Sequence, residues 1–419
     1  YAGAVDTGGI LAATLNAEFE VITLIDGNSY TIISPTTATS TVAGGGASVT
    51  AAYDISAGGS IYTTGVGWGA GPWSRGTWGS AASVGVGVQL RLWTIDNFGQ
   101  DLVLAPRNGA LYYWEKDTTT YPRCITLAAA STTAGYAGTY VPSQTLQILT
   151  SGLQRFGLCL GANPYDPTTP STTFDPMLVR WSDQENIYDW VPTTFNQSGE
   201  QRLSNGSTIV TAVHSRQENI VFTDTAVFVM QYLGPPYIWG FQLITDNISV
   251  VSPNSVTSAN NVTYWMGGDK FYSYSGRVDT LDCSLRRFVY NNINKDQLYQ
   301  IVSGTNSGYN EVWWFYPSAN SLVNDSYIIY NYLEKIWYYG SLNRTAWLDS
   351  ALKQYPMAAF SVQVTYLAAA ITASDTTIPL LNSGSYPTTG SIQIDSEIIS
   401  YTSNSNNVLT GCIRGLLNT

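Results

Sequence analysis

The sequence predicts an all-β fold, and three observations carry that reading. Aromatic and β-branched strands recur in pairs around tight turns. Turn centres near Asp224, Gly268 and Ser318 are spaced about 45 to 50 residues apart, the span of a four-stranded propeller blade. Helix formers are scarce: Leu281 to Lys295 is the best candidate, and Asn291-Asn292 weakens it. The expected architecture is a β-propeller of five to seven blades, about six, over residues 89–365. Small accessory β modules are expected in 1–88 and 366–419. With 419 residues the chain exceeds what one compact core usually holds.

The elements follow in order. EFEVITLIDGNSYTIISP reads as a hairpin across Asp26-Gly27-Asn28, followed by a small-residue stretch to about Ala57. Residues 58–87 alternate glycine with Trp68, Trp73 and Trp78. No GKS or GKT follows, so the segment reads as a loop pinned by aromatic packing and not as a phosphate cradle. In DNFGQDLVLAPRNGALYYW, strands Asp101 to Ala105 and Ala110 to Trp114 flank Asn108-Gly109, a pair suited to a type I′ turn. A Pro/Asp/Thr turn is expected between Asn163 and Asp175. Further strands turn at Arg216-Gln217-Glu218, Thr223-Asp224-Thr225 and Gly267-Gly268-Asp269, and EVWWFYPSANSLVNDSYIIYNYLEKIWYYG gives two aromatic arms around a polar loop. Trp114, Trp181, Trp265 and Trp313 are expected near strand ends, where sheets buried on both faces would hold them. After Tyr366, strands are expected near Ile378 to Leu381, Ser391 to Ile394 and Glu397 to Tyr401.

Composition narrows function. Charged residues make up 11%, well below the roughly 25% of ordinary soluble proteins, so Ser, Thr, Asn and Tyr must dress much of the surface. The 13 Trp and 29 Tyr supply amphipathic anchors for cores and interfaces. A net charge of -11, with Arg286-Arg287 the sole adjacent basic pair, argues against gripping nucleic acid through phosphate neutralisation. Cys124, Cys159, Cys283 and Cys412 form no CxxC pair and are expected to be free buried thiols. The one histidine, His214, is expected to be structural, on a strand face with Val210 and Ala212. No apolar run approaches the roughly 18 residues of a membrane helix, no basic-then-apolar leader opens the sequence, and position 1 is Tyr.

Three segments, in order, carry a family resemblance: DNFGQDLVLAPRNGALYYW, DPMLVRWSDQENIYDWVPTTFNQSGEQRLSNGSTIV from Asp175 to Val210, and YWMGGDKFYSYSGR from Tyr264 to Arg277. Together they resemble the propeller core of the tail nozzle proteins of short-tailed bacteriophages, also called tail tubular protein B or tail hub, over roughly Gln89 to Phe360. The C-terminal stretch, closed by Gly411, Arg414 and Gly415, resembles a small β module repeated in phage tail proteins. The resemblance implies a virion structural protein assembled in the host bacterial cytoplasm. It further implies a homohexameric ring that joins a head-to-tail adaptor to a tail fibre, needle or plug. Double-stranded DNA would pass through during ejection without specific binding, and this chain would not insert into a membrane.

The alternative is a carbohydrate-binding or glycoside-hydrolysing receptor-binding tail protein on a propeller. Hydrolysis needs two positioned carboxylates, or a Tyr with an acid. Ser182-Asp183-Gln184-Glu185 to Asp189-Trp190 faintly resembles the Asp-box turn of sialidases but lacks its glycine. Asp183, Glu185 and Asp189 are therefore expected to form turns. The sequence assigns no catalytic, cofactor-binding or metal-ligating residue, and the expectation is a protein that is not an enzyme.

Overall fold

The computed structural model describes residues 3–17, 19, 21–26, 29–44, 49, 90, 92–116, 124–215, 218–319, 321–350, 352–353, 355–359, 367–381, 383, 386, 388–394 and 397–416. The Gly/Trp segment with Trp68, Trp73 and Trp78, the turn residues Gly27, Asn28, Arg216 and Gln217, and Phe360 and Tyr366 lie outside the described residues. The chain divides into two compact units, Tyr1–Ser56 and Ala57–Thr419. The first holds helix α1 (Ala12–Leu15) and the expected hairpin, β1 (Val21–Asp26) with β2 (Ser29–Ile32).

The second unit is dominated by five antiparallel sheets, each a four-stranded meander. Sheet 1 comprises β3 (Trp93–Phe98), β4 (Asp101–Pro106), β5 (Tyr112–Trp114) and β6 (Ile125–Thr126). Helix α2 (Leu127–Thr133) follows it, its first turn closed by the Thr126 hydroxyl accepting from the Ala129 N–H. Sheet 2 comprises β7 (Thr145–Thr150), β8 (Gly157–Ala162), β9 (Asp175–Trp181) and β10 (Gly199–Arg202); sheet 3 comprises β11 (Ile209–His214), β12 (Asn219–Thr223), β13 (Ala226–Gly234) and β14 (Ile238–Asp246). Sheet 4 comprises β15 (Val256–Ala259), β16 (Val262–Met266), β17 (Phe271–Tyr274) and β18 (Val278–Leu281), and α3 (Arg286–Asn291) follows it. Sheet 5 comprises β19 (Val302–Asn306), β20 (Glu311–Tyr316), β21 (Ser326–Asn331) and β22 (Ile336–Ser341), after which β23 (Ala346–Leu348) pairs with β24 (Met357–Ala359). The fold is nearly all β and β-propeller-like, with 46% of residues in strands.

Hydrophobic burial explains why the sheets stack in chain order. Four core clusters each lie between consecutive sheets. Val103 and Tyr113 of sheet 1 meet Ile148 and Cys159 of sheet 2, and Leu158 and Val179 of sheet 2 meet Val221 and Phe228 of sheet 3. Ile220, Phe222 and Val229 of sheet 3 then meet Trp265 and Tyr272 of sheet 4, and Met266 and Phe271 of sheet 4 meet Trp314 and Ile328 of sheet 5. Neighbouring residues of β12 thus enter different clusters, because successive side chains on a strand point to opposite faces. All five residues of β12 are buried, the apolar Ile220, Val221 and Phe222 flanked by the buried polar Asn219 and Thr223. Aromatic pairs fill the gaps: the rings of Phe222 and Trp265 meet edge-on at 5.1 Å, and those of Phe271 and Trp314 lie 5.0 Å apart.

The C-terminal strands form two three-stranded sheets, β25 (Thr377–Pro379) with β28 (Ser403–Ser405) and β29 (Val408–Thr410), and β26 (Gly390–Ile394) with β27 (Glu397–Tyr401) and β30 (Ile413–Leu416). They enclose Ile378, Ile399, Tyr401 and Leu409. Arg414 forks onto Glu397 at 2.8 and 2.5 Å, which fixes β30 against β27.

Several expectations need correction. Asn108-Gly109 is not a type I′ turn: of the two, only Asn108 has positive φ, +63°. Gly109 donates to the Pro106 carbonyl at 2.8 Å and bridges to Thr145, so the turn serves sheet 2 as well as its own hairpin. A bulge between Ile209 and Thr211 shifts the alternation of β11. His214 therefore shares its face with Ala212 and Ile209, not with Val210, which packs with Val213 in the next cluster. Trp313 sits third in β20, away from the strand end. The long helix expected over Leu281 to Lys295 shrinks to α3, and α2 was not foreseen. All four cysteines are free thiols, but only Cys159 and Cys412 are buried; Cys283 is half-buried and Cys124 exposed.

Arg180 on β9 shows how this fold handles a buried charge. Its guanidinium, 3% exposed as a residue, donates to the carbonyls of Asn163 (2.9 Å), Tyr140 (3.0 Å) and Trp190 (3.0 Å) and lies 3.6 Å from Glu200. Arg180→Met would strand those acceptors, and the expected loss is about 3–5 kcal/mol. Denaturant unfolding checks this; a loss under about 1 kcal/mol would show that the carbonyls find other partners.

Candidate functional site

The first strand of every sheet is an edge, with one row of N–H and C=O groups unpaired within its own sheet. Strands β3, β7, β11, β15, β19 and β23 lie side by side in that order without pairing into a common sheet, and side chains bridge the junctions. Thr94 Oγ1 accepts the Ile148 N–H at 3.1 Å, and Asp96 Oδ2 accepts the Thr150 N–H at 2.7 Å, joining β3 to β7. Gln147 joins β7 to β11 as a peptide would: its Oε1 accepts from the Ala212 N–H (2.7 Å) and the Thr211 hydroxyl (3.1 Å), and its Nε2 donates to the Ala212 carbonyl (2.8 Å). Ser258 Oγ donates to the His214 carbonyl at 3.1 Å, and the Asn254 carbonyl accepts from both the N–H and the hydroxyl of Ser303. Trp347 Nε1 donates to the Thr305 carbonyl at 2.7 Å, with its ring laid where a Cβ on Gly304 would sit 2.1 Å from Cδ1.

Arg107 gathers one end of this array. From the turn after β4 its buried guanidinium donates to the carbonyls of Leu146 (3.3 Å), Val210 (3.0 Å) and Ile209 (3.4 Å) and lies 5.6 Å from the Tyr299 ring centre. One side chain of sheet 1 therefore touches the first strands of sheets 2 and 3 and the approach to sheet 5. At the far end of the same strands, Asp96 Oδ2 lies 3.4 Å from His214 Nε2.

Between these ends is a cavity of about 310 Å³, walled by Gln147, Thr211, Ala212, Val213, Asn254, Val256, Ser303, Thr345, Ala346 and Trp347, with Pro253 and Val302. Among the described residues, no side chain in that wall is ionisable. The lining offers amide, hydroxyl and aliphatic surface plus the Trp347 indole, which stacks on Trp313 at 5.3 Å. Such a wall can hold shape and offer neutral hydrogen-bonding and apolar contacts.

The carboxylates weighed in the sequence lie elsewhere, in loops. Asp183 Oδ1 accepts the Gln197 N–H at 2.8 Å, and Asp189 accepts from the Val191 N–H and from Asn196 Nδ2. Glu185 occupies a left-handed backbone position, φ +54°. Burial pushes the Cys159 thiol up to about 12 against the opposing pull of Arg180, which keeps it protonated near neutrality. Burial, then the hydrogen bond to Asp101, drives the Tyr113 phenol far above its ordinary value. Among the described residues, no group of three or more His, Cys, Asp or Glu side chains is placed to hold a metal ion. Asp96, Arg107 and Gln147 escaped the sequence reading. The partners described above lie 39 to 118 residues away, and no local pattern marks such contacts.

No family model matches the chain, and no curated protein does. Solved structures similar to it include a candidate 6-phosphogluconolactonase from Bacteroides uniformis, at 10% identity over 71% of this chain and 84% of that one with a TM-score of 0.40. The AfRom2 CNH domain is similar at 11% identity over 76% and 92%, TM-score 0.35, and Kluyveromyces lactis Hsv2 at 8% over 75% and 74%, TM-score 0.33. At these values no family or activity transfers to this chain.

Gln147→Leu keeps the bulk of the side chain and removes three bonds to β11, leaving the Ala212 N–H and C=O unmatched. The expected cost is about 2 kcal/mol in urea unfolding. A change within about 0.5 kcal/mol would mean that the junction does not depend on this amide.

Proposed function

We propose that this chain is a structural virion protein, the nozzle or hub subunit of a short bacteriophage tail. In that reading it is a six-bladed propeller, with β23 and β24 opening the sixth blade after the five complete sheets. The observation that carries the proposal is the order of the three resembling segments. They fall on the hairpins β3 to β5, on β9 through the start of β11, and on β16 with β17, in sheets 1 to 4. Two physical features support it. The cavity among the first strands has a wall without ionisable groups, which suits a scaffold better than a catalyst. A chain with 11% charged residues and exposed apolar side chains such as Tyr237, Leu233 and Tyr339 also suits a protein whose surface is shared with other subunits.

In the assembled state six copies form a ring that joins the head-to-tail adaptor to the distal fibre, needle or plug, and DNA passes through without being held. The purified chain, or the chain co-expressed with its adaptor, should give a particle of about 270 kDa, six times 45.5 kDa, with six-fold symmetry in electron micrographs. A persistent 45.5 kDa monomer in both preparations would contradict the proposal.

Charge sets the behaviour toward DNA. Six copies at -11 sum to about -66, so phosphates in transit meet repulsion or neutrality instead of releasing counterions. The ring is expected to bind double-stranded DNA weakly and with a shallow salt slope. Tight binding that collapses between about 50 and 200 mM salt would identify a gripping channel instead.

A further inference from the structure

His214 is the one histidine of the chain, and it ends β11 among groups from four other strands. Its Nε2 lies 3.4 Å from Asp96 Oδ2 on β3, and its Nδ1 lies 2.8 Å from Asn219 Oδ1 on β12. The Asp96 oxygen it faces also accepts the Thr150 N–H of β7 at 2.7 Å, and the His214 carbonyl accepts from Ser258 of β15. Both ring nitrogens therefore face oxygen acceptors. A neutral imidazole carries one N–H and can serve only one of them; the imidazolium serves both. We propose that His214 and Asp96 form a proton-operated clamp that ties the first strands of sheets 1, 2 and 3 together at one end of the central cavity, closed when His214 is protonated and released when it is neutral.

The charges around the ring fit this assignment. Among the described residues, Asp96 on β3 is the titratable group in contact with it; β12 presents Asn219, β7 a backbone amide and β15 a hydroxyl. Glu218, beside Asn219, is engaged by Gln231 Nε2 at 2.9 Å and by the Tyr274 hydroxyl. Partial burial lowers the affinity of His214 for its proton, but the hydrogen bond and charge of Asp96, then the bond to Asn219, outweigh it, and the net direction is upward. A raised folded-state value means that protonation favours the folded clamp. Its contribution is full below the ordinary histidine value and is lost as pH rises through the folded one.

A lone histidine makes the test direct, since its ring resonances are unambiguous. In the wild-type protein at about pH 6, ¹⁵N spectra should show both ring nitrogens protonated, and the titration midpoint should lie above that of a free imidazole. Asp96→Asn retains an acceptor for Thr150 but removes the charge, and it should move the midpoint down. His214→Gln should abolish the part of the thermal stability that wild type loses as pH rises above the ordinary histidine value of about 6.5. A wild-type ring that is a single neutral tautomer at pH 6 would overturn the clamp whether or not the variants fold. So would a midpoint unmoved by Asp96→Asn, or a pH dependence of stability that survives in His214→Gln.

Discussion

The constraint on which this molecule turns is the inner edge of each sheet. A four-stranded meander buries its two faces against its neighbours with ease, because side chains alternate and apolar residues can fill both sides. The first strand is harder to satisfy. Its outward row of peptide groups faces strands of other sheets with which it forms no ladder, and an unpaired buried peptide group costs about as much as a lost hydrogen bond. The chain answers with side chains that mimic peptides. Gln147 presents a carbonyl and an amide to Ala212 in the manner of a strand, Asp96 and Thr94 accept from β7, and Arg107 collects three carbonyls at once. The face-to-face contacts between sheets carry the bulk of the burial, and these few polar groups set the angle between them.

That division decides what could be read from the sequence. Strands and turns were legible because their signals are local: Thr223-Asp224-Thr225 and Gly267-Gly268-Asp269 do join β12 to β13 and β16 to β17, and the C-terminal strands appear where Ile, Val and Tyr alternate with polar residues. The errors are local as well. Asn108-Gly109 looks like a hairpin turn because glycine accepts positive φ, yet Gly109 is committed to Thr145. The alternation of β11 fails by the one residue that a bulge inserts. The inner-edge side chains were not legible at all. Gln147 is an ordinary polar residue inside TLQILT until its contact 65 residues away is known. The motif order behind the functional reading, by contrast, lies wholly in the sequence, and the proposed ring of six copies would be a property of an assembly beyond one chain.

The same geometry bears on chemistry. The cavity beside the first strands is walled, among the described residues, by amides, hydroxyls, aliphatic groups and an indole. The ionisable groups near it, Asp96, His214 and Arg107, are spent on joining strands. The buried thiol of Cys159 and the buried phenol of Tyr113 are held in their neutral forms. A wall of this kind favours constancy of shape, and the His214 contact adds a single place where that constancy responds to protons.

The most direct test of the inner-edge account is native-state amide hydrogen exchange, read at four N–H groups: Ile148, Thr150, Ala212 and Ser303. Each donates across a junction, three of them to a side chain and one to the Asn254 carbonyl. The account predicts that all four exchange as slowly as the paired amides of β8 and β12 in the sheet interiors, by opening of the whole unit. Exchange at the rate of a solvated edge strand, with β8 and β12 still protected, would show that the inner edges are not held by these bonds.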